Sequence, residues 1–232
     1  MDEIKILQFT DTHVSEYFVI EDLKRTVSKI NEQNPDIVVF TGDLIDRYDT
    51  YENKDKIYEI WETLGSIKAP FKYAIYGNHD YGGGAENIYK QIMKNSGFEL
   101  LINEKSALEQ YNINIIGMDD SIFGDYDSEI FYNLDKDSYN IVLSHEPDVV
   151  DYLLENNIDL FLSGHSHGGQ INLPIVKLLP LLAEKYTRGI YSFENARQTK
   201  LYVNIGLGTS KIPMRFMAAP ELAVFILKNN EH

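Results

Sequence analysis

The sequence predicts an α/β protein, and three observations carry that prediction. Short apolar runs of strand length alternate with stretches whose apolar residues recur at helical spacing. Polar and ionisable residues gather just past the C-terminal ends of those runs, the edge of an α/β sheet where ligands bind. The tail then shifts to strands joined by turns, with less helix, and is expected to form a second sheet.

Taken in order, residues 4–10 read as a core strand ending at Asp11-Thr12-His13. Ile20, Leu23, Val27 and Ile30 place a helix over 20–33, which Asn34-Pro35-Asp36 breaks. Residues 37–41 are a near-continuous β-branched run, typical of a parallel strand buried on both faces, and end at Gly42-Asp43. Ile57, Ile60, Trp61 and Leu64 mark a second helix closed near Gly65. A strand over 71–76 leads into Gly77-Asn78-His79-Asp80, and 86–95 reads as helix. Strands follow at 113–118, before the acidic pair Asp119-Asp120, and at 139–143, before Ser144-His145-Glu146-Pro147. A helix is expected over 149–156. The strand over 158–163 then runs into Gly164-His165-Ser166-His167-Gly168-Gly169, and strands at 201–205 and 222–227 make up the tail. No repeat, low-complexity tract or linker interrupts the chain, so residues 1–232 are read as one domain.

Composition narrows the chemistry. A hydrophobic content of 44% with 12% aromatics suits a packed core and argues against disorder. There is no cysteine, which excludes disulfides, thiolate metal sites and cysteine nucleophiles. Any metal must therefore be held by nitrogen and oxygen donors. A net charge of −15 repels nucleic-acid phosphates, so no duplex nucleic acid is expected as a partner. Bound cations would invert that field locally and leave anionic substrates open. The first residues form no signal peptide, and no run approaches the roughly 18–20 apolar residues that span a bilayer. A cytoplasmic chain is expected, with peripheral contact to lipid or membrane left open. That opening rests on residues 173–182, rich in leucine, with Ile175, Val176 and two prolines. The stretch reads either as a packed irregular loop or as a lid for an apolar substrate or membrane interface.

The histidines are the sharpest signal. Of six, His232 is terminal; His13, His79, His145, His165 and His167 each stand just after a strand-like run. With Asp11, Asp43 and Asn78 they supply, from five strand ends, the hard-to-borderline donors that Mn, Fe and Zn accept. Each element alone has a structural explanation: a turn with an Asx bond, or a helix-entry residue. Together they suffice for two cations sharing one carboxylate. Two such cations clamp the attacking and departing oxygens of a phosphoryl displacement and activate water, with no serine or cysteine nucleophile needed.

Asp11-x-His13, Gly42-Asp43, Gly77-Asn78-His79-Asp80, His145 and Gly164-His165-x-His167 stand in the order and completeness that resembles the calcineurin-like metallophosphoesterase family. The match spans about residues 4 to 170. Gly168-Gly169-Gln170-Ile171, Gly206-Leu207-Gly208-Thr209-Ser210 and the stretch from Arg215 to Leu222 extend the likeness towards the bacterial YkuE/YaeI-like branch. The resemblance implies a four-layer αββα sandwich of two mixed β-sheets flanked by helices. It implies Asp11, His13, Asp43 and His167 at one metal and Asp43, Asn78, His145 and His165 at the other, with Asp43 as the bridge. His79 would bind the phosphate beside Asn78 and protonate the leaving oxygen, and Asp80 would orient that imidazole. The implied cofactors are two divalent ions (Mn, Fe or Zn), the substrate a phosphate ester and the reaction its hydrolysis, as a diesterase before a dedicated monoesterase. The alternative is a non-catalytic, metal-holding module for protein or lipid interaction. Arg188, Lys211 and Arg215 are candidates to hold substrate phosphate, or else surface ion-pair partners.

Overall fold

The computed structural model describes residues 3–171 and 179–228. Its first sheet holds β1 (Glu3–Phe9), β2 (Ile37–Phe40), β3 (Phe71–Ala74) and β4 (Glu99–Leu100), all parallel. The second holds β5 (Glu104–Leu108), β6 (Ile113–Gly117), β7 (Tyr139–Leu143), β8 (Leu160–Ser163), β9 (Gly189–Ser192) and β10 (Lys200–Val203). Their order is β5-β6-β7-β8-β10-β9, parallel from β6 to β10 with antiparallel edges. The final strand, β11 (Ala223–Lys228), does not follow β10 into the second sheet as the sequence led us to expect. It closes the first sheet, antiparallel to β1, with Ile4 opposite Leu227 and Ile6 opposite Phe225.

Strand periodicity builds the layers. Ile37 and Val39 point one way from β2, Val38 and Phe40 the other, and all four are fully buried. The first pair meets Ile6, Ile75, Ile115, Ile141 and Leu162 between the two sheets. The second pair meets the amphipathic faces of α1 (Ile20–Glu32), α2 (Ile57–Gly65) and α3 (Glu86–Asn95) through Leu23, Val27, Ile60, Leu64 and Ile92. The outer face of the second sheet carries Val142, Phe161 and Leu201, covered by Val149, Val150, Phe131 and Leu134. The fold is thus the two-sheet sandwich with flanking helical layers that the motifs implied.

The helix expected over 149–156 is a 3₁₀ helix over Pro147–Tyr152 instead. Pro147 starts it, but Val149 and Val150 are β-branched and both buried, so packing against the sheet, not propensity, sets its form. Of the apolar stretch 173–182, only 179–182 lie within the described residues.

Register then positions the site. Phe9, Phe40 and Ala74 lie side by side at the C-terminal ends of β1, β2 and β3. Leu143 and Leu162 do the same for β7 and β8. Loops after five parallel strands, three from one sheet and two from the other, therefore open on one rim of the sandwich. Among the described residues no helix is long and apolar enough to cross a membrane.

Candidate metal centre

Asp11, His13, Asp43, Asn78, His79, His145, His165 and His167 all reach that rim. Asp11, Asp43, His13 and His145 are almost wholly buried. Three groups of three bring their ligating atoms within 4.8 Å of one another: Asp11, His13 and His167; Asp43, His145 and His165; and, sharing His13, the group of His13, Asp46 and His79. Asp43 links the first two. Its Oδ2 is 3.3 Å from His13 Nε2 and 3.2 Å from His145 Nε2. His167 Nε2 lies 3.4 Å from Asp11 Oδ1 and 3.0 Å from His13 Nε2.

The backbone is bent to achieve this. Asp11 (φ 50°), His13 (φ 43°), Asp43 (φ 62°), His165 (φ 67°) and His167 (φ 48°) all adopt the left-handed region, uncommon outside glycine. Gly42, at φ 94°, has no room for a side chain: a Cβ there would strike the backbone of Gly77. A Cβ on Gly164 would strike the Asp11 carboxylate, which instead accepts the amide hydrogen of His165 at 3.0 Å.

Hydrogen bonds away from the centre aim the rings. His13 Nδ1 donates to Asp46 Oδ1 at 3.1 Å, and His145 Nδ1 donates to the Thr41 carbonyl at 2.7 Å. In the neutral ring each leaves an Nε2 lone pair facing inwards. His165 reverses the pattern: its Nε2 donates to the Leu181 carbonyl at 2.8 Å and leaves Nδ1 inwards. His167 differs again. Arg215 can only donate, so His167 Nδ1 accepts from its Nη2 at 3.2 Å and the neutral ring carries its hydrogen on Nε2. Ligation through that nitrogen requires the hydrogen to leave.

The residues fit a cation. Asn78 Oδ1 is a buried acceptor without a hydrogen-bond partner, an arrangement that costs free energy unless a cation or donor satisfies it. Charges respond to the crowding. Burial works against protonated His13, but bonds from Asp11 and Asp46 and the charge of Asp43 outweigh it and push the group up to about 10. Burial brings His165 down to about 4, helped by His145. Burial also takes His167 down to about 3. Burial opposes ionised Asp43, yet His145, His79 and His13 hold its carboxyl well below the usual range.

Two sequence expectations are corrected here. Asp80, expected to orient His79, has its oxygens taken by the amides of Asp43, Leu44 and Gly77 at 2.8, 3.0 and 2.9 Å. It braces the two ligand loops, and burial together with Asp43 pushes it up to about 8. The partner of the His79 ring is Asp46: its carbonyl receives the Nδ1 hydrogen, and its Oδ1 lies 3.5 Å from the same nitrogen. Sequence reasoning missed Asp46, whose only signal was an acidic residue three positions after Asp43. Arg215, a candidate phosphate holder, is instead half-buried and donates to the carbonyls of Gly208, Ile205 and Ala218. Arg188 donates to the Met217 carbonyl, while Lys211 lines a cavity of about 290 Å³ over the centre.

A sequence model of the calcineurin-like phosphoesterases matches residues 4–169. The chain belongs to that family. It is accordingly a metal-dependent hydrolase of phosphoric esters. The Bacillus subtilis metallophosphoesterase YkuE is 41% identical over 235 residues, covering 98% of this chain and 80% of that one. The UDP-2,3-diacylglucosamine pyrophosphatase LpxG of Chlamydia muridarum is 29% identical over 278 residues, covering 95% of this chain and 82% of that one. Among solved structures, a dimetal phosphatase from Danio rerio superposes with a TM-score of 0.58 at 10% identity, covering 89% of this chain and 88% of that one. That likeness speaks for the fold.

Proposed function

We propose that the protein is a dinuclear phosphodiesterase in which Asp43 is shared between two cations. The observation that carries this reading is the place of the Asp43 carboxylate, within 3.3 Å of imidazoles from the two three-residue groups it links. In this reading Asp11, His13, Asp43 and His167 hold one ion, and Asp43, Asn78, His145 and His165 the other. The donor set of imidazole, carboxylate and amide oxygen suits Mn, Fe or Zn. When bound, such ions offset phosphate charge and make water a nucleophile near neutral pH.

The protein's own groups do the rest. His79 lines the cavity with a partly exposed side chain, and its Nδ1 hydrogen is committed to the Asp46 carbonyl. Its Nε2 is therefore the atom that faces the phosphate and hands a proton to the leaving oxygen. The His79 amide donates to Asp43 Oδ1 at 2.9 Å, so the acid and the shared carboxylate keep a constant separation. Asp80 serves this chemistry by holding the Asp43 and Gly77 loops together, and Asn78, whose buried Oδ1 has no hydrogen-bond partner, would offer that oxygen to a cation and its amide to the substrate. Residues 1–232 act as one domain, because both sheets supply one rim. The relative LpxG acts, by its name, on a nucleotide-linked diphosphate, which supports a substrate substituted on both sides of phosphorus over a monoester.

Purified protein with added Mn should hydrolyse bis-p-nitrophenyl phosphate. No turnover with Mn, Fe or Zn would end the reading. His79→Ala should lower kcat by about 10²–10⁴-fold while the bound metal, read by elemental analysis, stays at the wild-type level. Equal loss of metal would place His79 among the ligands instead.

A further inference from the structure

The cavity over the centre is divided. Its floor is Asp43, Asn78, His79, His165 and His167; one wall is Ile171, Leu179, Pro180 and Ile212, with Lys211 beside them. Ser210 also lines that side, while the side chains of Gln170 and Ser166 are already committed. Gln170 Oε1 accepts from the Ser210 amide at 2.9 Å, and its Nε2 donates to the carbonyls of Ser210 and Ile212. Ser166 Oγ donates to the Thr187 carbonyl at 2.7 Å and accepts from the Gly168 amide at 3.1 Å.

The same chain segments continue the apolar surface outwards. Leu181, Met214, Phe216 and Met217 are each about half or more exposed, and Phe216 bridges to Ile171 at the cavity wall. Exposed apolar side chains grouped beside a polar site mark a binding surface, and the flexible methionines fit chains of varied shape. The net charge of −15 disfavours docking on an anionic membrane, whereas Lys211 offers a positive charge at the cavity itself.

We propose that this wall seats an alkyl or acyl chain on the substrate, making the natural esters amphiphilic phosphodiesters; the proposal rests on the phosphodiesterase reading above. The phosphate lies over the ionisable floor and the chain runs along Leu179, Pro180 and Ile212 towards Met214 and Phe216.

Calorimetry on the Mn-loaded protein with methylphosphonate and octylphosphonate tests this without turnover. Octylphosphonate should bind about tenfold or more tighter, since each buried methylene contributes to affinity. Leu179→Asn and Ile212→Asn should each remove most of that ratio, while methylphosphonate binding and metal content, read in the same samples, report an intact centre. Equal affinity for the two phosphonates in the wild-type protein would overturn the proposal. So would a ratio that survives both substitutions. Hydrolysis of bis-p-nitrophenyl phosphate, followed alongside, separates the two readings. Turnover with a flat ratio sinks the groove alone; a strong ratio without turnover supports the groove and sinks the phosphodiesterase.

Discussion

Asp46 Oδ1 lies 3.1 Å from His13 Nδ1 and 3.5 Å from His79 Nδ1, so one carboxylate serves two imidazoles of different duty. Removing it leaves the His79 ring its bond to the Asp46 carbonyl but frees His13 to turn or change tautomer. Asp46→Ala should therefore weaken Mn binding by about 10–100-fold, measured by calorimetry. His79→Ala should leave Mn binding alone, and the contrast distinguishes a residue that aims a ligand from one that moves a proton. Arg215 makes the complementary case. Its guanidinium satisfies the carbonyls of Gly208, Ile205 and Ala218 as well as His167 Nδ1. Arg215→Met should cost roughly 3 kcal/mol in urea unfolding, because these acceptors are left without a donor. The ligand candidates were legible in the sequence since each follows a strand in a recognisable motif. Asp46 and Arg215 were not, because their roles lie in contacts between loops that no local pattern encodes.

At the level of the elements, the strands end and the loops turn sharply enough to put five of the candidate site residues, Asp11, His13, Asp43, His165 and His167, in the left-handed region. That strain is held by close backbone approach, which only small residues permit. Gly164→Ala would drive a methyl group into the Asp11 carboxylate and the Thr10 side chain. It should destabilise the fold by about 1–3 kcal/mol and lower the metal content, checked by thermal unfolding and elemental analysis. Element types came mostly right from period alone: α1, α2, α3, β1, β2 and β7 lie where the apolar spacing put them. The errors have a common cause. Whether β11 joins one sheet or the other, and whether 147–152 winds as α or 3₁₀, depends on partners far away in sequence.

Across the whole molecule, the concentration of charge at one rim gives the metal-free protein a pH response of known sign. His13 is raised from 6.5 to about 10, and Asp80 from 3.8 to about 8. A group raised in the folded state contributes stability that is full below its unfolded value and is lost as pH climbs through its folded value. From pH 7 to 10 the metal-free protein therefore loses stability, through both groups up to about pH 8 and through His13 alone beyond it. Its Tm should fall across that window. Saturating Mn should flatten the fall, because a bound cation keeps His13 neutral and offsets the Asp43 charge that lifts Asp80. A metal-free Tm that rises with pH across this window would contradict the assignment.

From residue order alone came the alternation of strands and helices, the absence of cysteine chemistry and the set of donors waiting at five strand ends, because periodicity and residue type are local properties. The folded molecule decided which loops face each other, that Asp43 stands between two groups of candidate ligands, that Asp46 rather than Asp80 attends His79, and that an apolar wall adjoins the centre. Those facts arise from the register of parallel strands and the stacking of two sheets, which bring residues more than 100 positions apart into hydrogen-bond range.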